Sequence, residues 1–173
     1  RYLVLYWFGG LYVDMKTTIV RKPTFRVKSG PVPRVYSSPW DVSRDGTYHP
    51  HLFQVGELQQ FWIAAEPGAP ALWNVVCQIV ANIFQLTHVG KDSELKFPLL
   101  PKKDTSKSRI LATTGPIVYT YSLAKTEMSI PKSIVILGCD CDQAIQYFPP
   151  NKREMTILRT DHYSKQHTSM VTR

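Results

Sequence analysis

The chain has 173 residues, of which 43% are hydrophobic and 12% aromatic, and its formal net charge at pH 7 is +8. This composition argues against a disordered chain and is sufficient for one hydrophobic core, so we predict a single domain over residues 1–173. No apolar stretch approaches the length of a bilayer-spanning helix. Three cysteines, Cys77, Cys139 and Cys141, are too few for a disulfide framework.

The excess of basic residues is compatible with three anionic partners: nucleic acid, an anionic membrane surface, or the diphosphate of a nucleotide sugar. Most of these residues are scattered, and the dense group is Lys102, Lys103, Lys107 and Arg109, in a polar segment. No aromatic platform interleaves with this group, as binding to a single strand would require. We therefore predict that the chain does not bind nucleic acid.

The first predicted element is a helix that ends at Gly9-Gly10. Its apolar residues follow a helical spacing: Tyr2, Leu5, Tyr6 and Phe8. The two glycines allow the chain to reverse through positive φ, and residues 11–13 then read as a short buried strand. That strand places Asp14 at its C-terminal end, where ligands of open α/β sheets bind, as a candidate for contacting a metal or a sugar hydroxyl. The alternative is that Asp14 merely caps the following loop.

Residues 17–46 are rich in proline and basic residues, and we predict an irregular segment with one or two short strands, one of them near residues 25–27. Strands are predicted at residues 52–55 and 61–65. A helix follows with Pro70 in its first turn. The core stripe predicted for it comprises Leu72, Val75, Val76, Ile79, Val80, Ile83 and Phe84.

Residues 88–108 are polar and Lys-rich, which is typical of an insertion between helices. Thr114-Gly115-Pro116 predicts the start of another helix, and residues 133–137 predict a strand. The sequence Cys139-Asp140-Cys141-Asp142 follows that strand. We do not interpret it as a metal site, because soft thiolates and hard carboxylates suit different ions and no second Cys or His pair stands at finger spacing.

One known family shares the pattern of the first fourteen residues. They read Arg1-Tyr2-x-x-Leu5-Tyr6-x-x-Gly9-Gly10-x-Tyr12-x-Asp14. This pattern resembles the sugar-binding region of the glycosyltransferases with a DxD motif (family 32), which include the initiating α-1,6-mannosyltransferase of yeast and, more distantly, the large clostridial toxins. The family pattern continues to a second aspartate, where this chain has Lys16. A lysine cannot ligate a divalent cation, but it can hold a phosphate as a point charge. Because side chains two apart on a strand share a face, we expect Lys16 to lie beside Asp14 and near the diphosphate.

Three further segments resemble the family. Pro67-Gly68-x-Pro70 resembles its Pro-Gly-His-Pro turn, with Ala69 in place of the histidine. Thr114 and Gly115 resemble the Thr-Gly-Pro turn on the acceptor side of the family's cleft, although an ordinary helix cap explains Thr114 equally well. Near the C-terminus, His162-Tyr163 is the best match to the family's histidine stretch and His167 the second, with Met170 where a tryptophan is expected.

The resemblance implies an α/β fold of the nucleotide-diphospho-sugar transferase (GT-A-like) type with a mixed central sheet, and an N-terminal part upstream of Arg1. It implies a retaining transfer of a mannose-like hexose from a GDP- or UDP-sugar to a carbohydrate or lipid-linked acceptor. Asp14 and Lys16 are the expected catalytic residues. The implied donor-binding residues are Arg1, Gly9, Gly10, Tyr12, Asp14 and His162. Asp14 and His162 are the candidate ligands of Mn²⁺ or Mg²⁺, although Lys16 puts the metal in doubt.

The resemblance also implies a location in the Golgi or endoplasmic reticulum lumen, with membrane attachment through segments outside this chain. A cytoplasmic location is the alternative. The rival function is a catalytically degenerate module that binds carbohydrate or a partner protein, and the loss of the second aspartate favours it.

Overall fold

A computed structural model describes residues 1–25, 30–41, 49, 51–88 and 106–147. It shows a mixed α/β architecture, which confirms the predicted class. The elements in chain order are α1 (Tyr2–Phe8), β1 (Gly10–Val13), β2 (Thr17–Ile19), β3 (Val35–Ser37), β4 (Trp62–Ala65), α2 (Pro70–His88), α3 (Ser106–Thr113), α4 (Pro116–Ser129), β5 (Ile134–Ile136), the short segment α5 (Cys139–Gln143) and β6 (Ile145–Tyr147). Within the described ranges, no helix combines the length and apolar character that crossing a membrane requires.

The central sheet has four strands in the order β1-β4-β3-β5. Strand β4 is antiparallel to both β1 and β3, whereas β3 and β5 are parallel, so the sheet is mixed as predicted. Strands β1, β3 and β5 therefore point the same way, and their carboxyl ends lie at one edge of the sheet beside the start of β4. Strands β2 and β6 form a separate antiparallel pair.

Strand β4 separates two hydrophobic clusters because successive side chains of a strand point to opposite faces. Ile63 and Ala65 belong to the cluster that includes residues of α1, α2 and α4. Trp62 and Ala64 belong to the cluster that includes Cys141 and Ile145. All four residues of β4 are buried, as expected for a strand covered on both faces.

The predicted reversal at Gly9-Gly10 is confirmed. Gly9 has φ 65°, Gly10 has φ 100°, and the Gly9 amide donates to the Leu5 carbonyl at 2.8 Å, which ends α1. A Cβ at Gly9 would lie 2.7 Å from Cδ of Pro67 and 2.9 Å from the Ala65 carbonyl oxygen. Only glycine fits this position without a shift, so the tight approach of α1 to the end of β4 depends on it.

Two strand predictions differ from the structure. Residues 52–55 form bends and turns. Leu52 is buried in a cluster with Ala112 and Ile117, a long-range contact that a local sequence pattern does not reveal. Phe25 lies outside any strand, and its predicted neighbours at 26–27 lie outside the described residues. Strand β3 was not located from the sequence, because the prolines of residues 17–46 disfavour a strand prediction there.

The prediction that the whole apolar stripe of α2 is core is wrong for its C-terminal half. Leu72 and Val75 are buried, and Val76 and Ile79 are partly buried. Val80, Ile83 and Phe84 are 60%, 44% and 58% exposed. The inward face of α2 instead runs through positions 72, 75, 79 and 82. At the last of these positions the buried residue is the polar Asn82. The helix is apolar on more than one face, so the sequence could not specify which face is covered.

Candidate functional site

The candidate site lies at the edge of the sheet where β1 ends. Asp14 follows β1, and its amide donates to the Phe61 carbonyl at 2.7 Å, which fixes its backbone beside the start of β4. Arg1 precedes α1 and returns to the same place: its Nη1 lies 3.6 Å from Oδ1 of Asp14 and 3.5 Å from the Gln60 carbonyl oxygen. The helix, the two glycines and the strand thus bring the two ends of the motif together.

Two tyrosine rings flank the Arg1 guanidinium. Its central carbon lies 5.4 Å from the ring centroids of both Tyr2 and Tyr12, within cation–π range. The Tyr12 hydroxyl donates a hydrogen bond of 2.6 Å to Oδ1 of Asp14. Burial raises the pKa of Tyr12, and the hydrogen bond to Asp14 and the charge of Asp14 raise it further, while Arg1 lowers it. Tyr12 is therefore a neutral donor at pH 7.

A buried polar chain supports this arrangement from the core side. The Tyr2 hydroxyl accepts a hydrogen bond from Nε2 of Gln60, and the Tyr2 ring stacks on Tyr119 with centroids 5.8 Å apart. Burial raises the pKa of Tyr2 to about 12 and also raises that of Tyr119, so both phenols remain protonated. Sequence reasoning assigned no role to Gln60 or Tyr119, although Gln60 stands just before β4, and no sequence signal marks Tyr119.

The Asp14 carboxylate remains accessible. Its side chain is 33% exposed and that of Arg1 is 26% exposed. Its Oδ2 has no hydrogen-bond partner among the residues that the structure describes. Among the described residues, the site therefore offers one carboxylate oxygen without a hydrogen-bond partner beside a guanidinium, a combination that suits hydroxyl and anionic oxygen ligands.

Lys16 does not continue the strand. It lies in a turn at Met15–Lys16, between β1 and β2, so the expectation that it shares a strand face with Asp14 is wrong. Met15 is 99% exposed, which indicates that the turn projects from the sheet. Within the described part of the chain, Lys16 makes no hydrogen bond or ion pair. The structure thus brings together Arg1, Tyr12 and Asp14, and leaves Lys16 beside them without a fixed partner.

The expected acceptor-side residues join two helices. Thr114 Oγ1 lies 3.5 Å from the Ile110 carbonyl oxygen, at the end of α3, and Gly115 rather than Thr114 caps α4, with proline following as predicted. A Cβ at Gly115 would lie 2.7 Å from Cα of Leu111, so the glycine allows the close approach of α3 and α4. The Gly115 carbonyl accepts from the Tyr119 amide at 3.2 Å, which connects this turn to the residue stacked on Tyr2.

The residues considered as metal ligands fall in different places. His162, like His167, lies outside the described residues. Asp140, Cys141 and Asp142 lie on α5 with left-handed φ values of 53°, 55° and 55°, not on an extended chain, and Asp140 is buried and accepts from Gln59 at 2.7 Å. Among the described residues, no group of three or more His, Cys, Asp or Glu side chains could hold a metal ion. This part of the chain contributes one possible ligand, Asp14, and falls short of a complete divalent-cation site.

The chain was compared with known proteins in three ways. No protein-family model, no curated protein and no solved structure matches it.

Proposed function

We propose that this chain contributes the donor-sugar site of a retaining hexosyltransferase with a nucleotide-diphospho-sugar transferase (GT-A-like) fold. The reaction is transfer of a mannose-like hexose from a GDP- or UDP-sugar to a carbohydrate or lipid-linked hydroxyl. The observation that carries the proposal is that Nη1 of Arg1 lies 3.6 Å from Oδ1 of Asp14, the same oxygen that accepts a hydrogen bond from the Tyr12 hydroxyl. Helix α1 and strand β1 separate Arg1 from Asp14 in the sequence, yet these two residues and Tyr12 lie together at one accessible site, which we call the Arg1–Asp14 corner.

The chemistry of the corner suits a sugar donor. Oδ2 of Asp14 can accept a hydrogen bond from a hexose hydroxyl, while Tyr12 and Arg1 hold Oδ1 in place. The guanidinium of Arg1 is positively charged and has five N–H donors, so it can attract a phosphate oxygen. Transfer from a nucleotide sugar develops negative charge on the departing diphosphate, and a preorganised cation stabilises such charge effectively.

The position of the corner in the sheet also supports the proposal. Strands β1, β3 and β5 have their carboxyl ends at this edge. Ligands of open α/β sheets bind outside the carboxyl ends of the strands. Asp14 therefore occupies the place where a donor site of this fold type is expected.

A second candidate is a module that binds carbohydrate without catalysis. The position of Lys16 favours it, because this turn residue makes no hydrogen bond or ion pair with the described residues and so does not provide them with a preorganised charge for the diphosphate. Carbohydrate binding needs only the hydroxyl-binding groups of Asp14, Arg1 and Tyr12. The two candidates therefore share a site and differ in turnover.

The test measures release of nucleoside diphosphate from GDP-mannose and UDP-glucose by the unchanged protein, Asp14→Asn and the matched control Asp142→Asn. We expect Asp14→Asn to lower the rate by about 100-fold or more, the range for loss of one preorganised electrostatic group. Asp142→Asn should retain the rate. Equal rates in all three proteins would refute the site. Glycan binding that depends on Asp14, without release of nucleotide, would establish the second candidate.

A further inference from the structure

The outer surface of α1 is unusually apolar. Leu3, Val4, Trp7 and Phe8 are all exposed, Trp7 at 68% and Phe8 at 80%. The buried residues of this helix are Tyr2 and Leu5, which face the core. Exposed large apolar groups in such density are uncommon on a monomer and indicate a contact surface.

This surface continues onto α2. Tyr6 connects the two helices, with its ring centroid 5.7 Å from that of Trp7 and 5.3 Å from that of Trp73. Trp73, Val80 and Phe84 are exposed on α2, with Val80 two turns and Phe84 three turns after Trp73. We call the exposed apolar residues of the two helices the outer apolar face: Leu3, Val4, Trp7, Phe8, Trp73, Val80, Ile83 and Phe84. On α2 the face extends from Trp73 to Phe84, which is about 17 Å along the helix axis.

The two helices contain no Asp, Glu, Lys or Arg. The exposed side of a helix on a globular protein is normally polar or charged, and a helix that is apolar all round is normally covered. The inner side of α2 already packs on the core through Leu72 and Val75. The outer apolar face thus has the composition of a covered surface.

We propose that the outer apolar face binds peripherally to an anionic lipid bilayer. Tryptophan and phenylalanine beside aliphatic residues are the composition of helices that lie in the membrane interface. The net charge of +8 attracts the chain to anionic lipid and opposes pairing of two identical chains, which favours a membrane over a second copy. This contact is additional to any attachment through segments outside the chain.

The chain also has a dense group of basic residues, which would attract anionic lipid. The dense group at Lys102, Lys103, Lys107 and Arg109 follows α2 in the sequence. Two of its members belong to α3, whose Ala112 carbonyl accepts a hydrogen bond from the Asn82 side chain of α2 at 3.2 Å. Helix α3 therefore adjoins the C-terminal half of α2. Each basic residue near an anionic surface strengthens binding.

Docking on this face would bring the candidate site close to lipid. Arg1 directly precedes α1, and a helix of 7 residues is about 10 Å long. A hydroxyl displayed near the bilayer surface would then lie within reach of the Arg1–Asp14 corner. The membrane proposal concerns binding alone and does not depend on sugar transfer.

The test is sedimentation of the protein with vesicles of phosphatidylcholine, with and without phosphatidylserine. We expect binding to the anionic vesicles that weakens as salt is raised. The double variant Trp7→Gln, Phe8→Gln should bind at least about tenfold more weakly, because it removes two large apolar side chains from the contact. The matched control Met15→Gln, Met128→Gln changes two exposed residues outside α1 and α2 and should bind as the unchanged protein does.

A second measurement keeps the test decisive if the Trp7 variant fails to fold. Brominated lipid should quench tryptophan fluorescence of the unchanged protein. Absence of vesicle binding would overturn the proposal, as would equal loss of binding in the control. Self-association that Trp7→Gln abolishes, without vesicle binding, would assign the face to a second copy. Exclusion of acrylamide from the tryptophans before vesicles are added would show that another part of the chain covers it.

Discussion

The Tyr12 hydroxyl donates a hydrogen bond of 2.6 Å to Oδ1 of Asp14, two residues further along the chain. Alternate residues of an extended chain share a face, so the end of β1 presents the phenol and the carboxylate on the same side. Both the charge of Asp14 and this hydrogen bond favour the protonated phenol.

We therefore expect Asp14→Asn to lower the pKa of Tyr12, since removal of a nearby negative charge makes the tyrosinate less unfavourable. Burial is the largest cause of the raised pKa and is retained in the variant, so it should continue to raise the pKa of Tyr12. Titration of the ¹³Cζ resonance of Tyr12 measures this, with Asp142→Asn as control. An unchanged pKa in Asp14→Asn would mean that the two groups are not in contact in solution.

Gly9→Ala should destabilise the protein more than Gly68→Ala. Both glycines have positive φ, 65° and 75°, which costs an alanine on the order of 1 kcal/mol. A Cβ meets nothing within 4 Å at Gly68, whereas at Gly9 it meets Pro67 and the Ala65 carbonyl. Overpacking of this kind adds about 1–3 kcal/mol. Urea unfolding of the two variants measures the difference, and equal values would show that α1 does not approach β4 so closely.

Leu72→Ala should lower the free energy of unfolding by about 2–5 kcal/mol, because Leu72 is fully buried in the helical cluster. Val80→Ala should change it by less than about 0.5 kcal/mol, because Val80 lies on the outer apolar face. Chemical unfolding of both variants tests the orientation of α2. A large loss in Val80→Ala would show that the face is packed within the chain.

Stability should depend on the buried carboxyl of Glu57. Burial raises its pKa above 4.5, and the contacts with His49 at 2.5 Å and Trp40 at 3.3 Å lower it only partly. The folded protein therefore holds this proton more tightly than the unfolded chain does. The stabilisation is complete below about pH 4.5 and is lost as pH rises through the folded pKa.

Glu57→Gln removes this titration, so the stability of the unchanged protein relative to the variant should fall as pH is raised from about 4 to about 7. Urea unfolding at several pH values measures it. A relative stability that rises over this window would indicate that the ion pair with His49 outweighs burial.

Lys16→Asp restores the second acid of the resembled motif, and we expect it to increase the dependence of nucleotide-sugar binding on Mn²⁺, because a second carboxylate adds a hard oxygen ligand. Lys16→Ala should lower affinity with or without the metal, because it removes one positive charge close to the site even though the turn does not fix that charge. Calorimetry with and without a chelator separates these effects. Binding of the unchanged protein that vanishes on chelation, with no effect of Lys16→Ala, would show that Lys16 points away from the donor.

The local elements could be predicted because their signals are local. Helix α1, its end at Gly9 and strand β1 follow from spacing and from glycine conformation, as does Pro70 at the start of α2. The sequence could not predict which face of α2 is covered, since apolar residues stand on both. The predicted one or two short strands within residues 17–46 are present as β2 and β3. The position of β3 was not predicted, because its three residues follow Pro31 and Pro33 and its burial depends on distant partners in β4 and β5.

The candidate site was predictable only in part. The residue pattern singled out Arg1, Tyr12 and Asp14, and the structure brings them together. Gln60 and Tyr119 meet Tyr2 through long-range packing, which a single sequence does not reveal. The expectation for Lys16 failed because it assumed that the strand continues past Val13, whereas the chain turns at Met15.

Among the described strands, β1 is held on one side only. It lies at the edge of the sheet, and β4 is its neighbour. Because the Asp14 amide bonds to Phe61, the alternation of an antiparallel pair directs the Leu11 and Val13 amides away from β4. Strand β1 is partly exposed whereas β3 and β4 are buried, so we expect the amides of β1 to exchange with solvent before those of β3 and β4. The strand that leads to Asp14 is thus less protected than the two strands beside it.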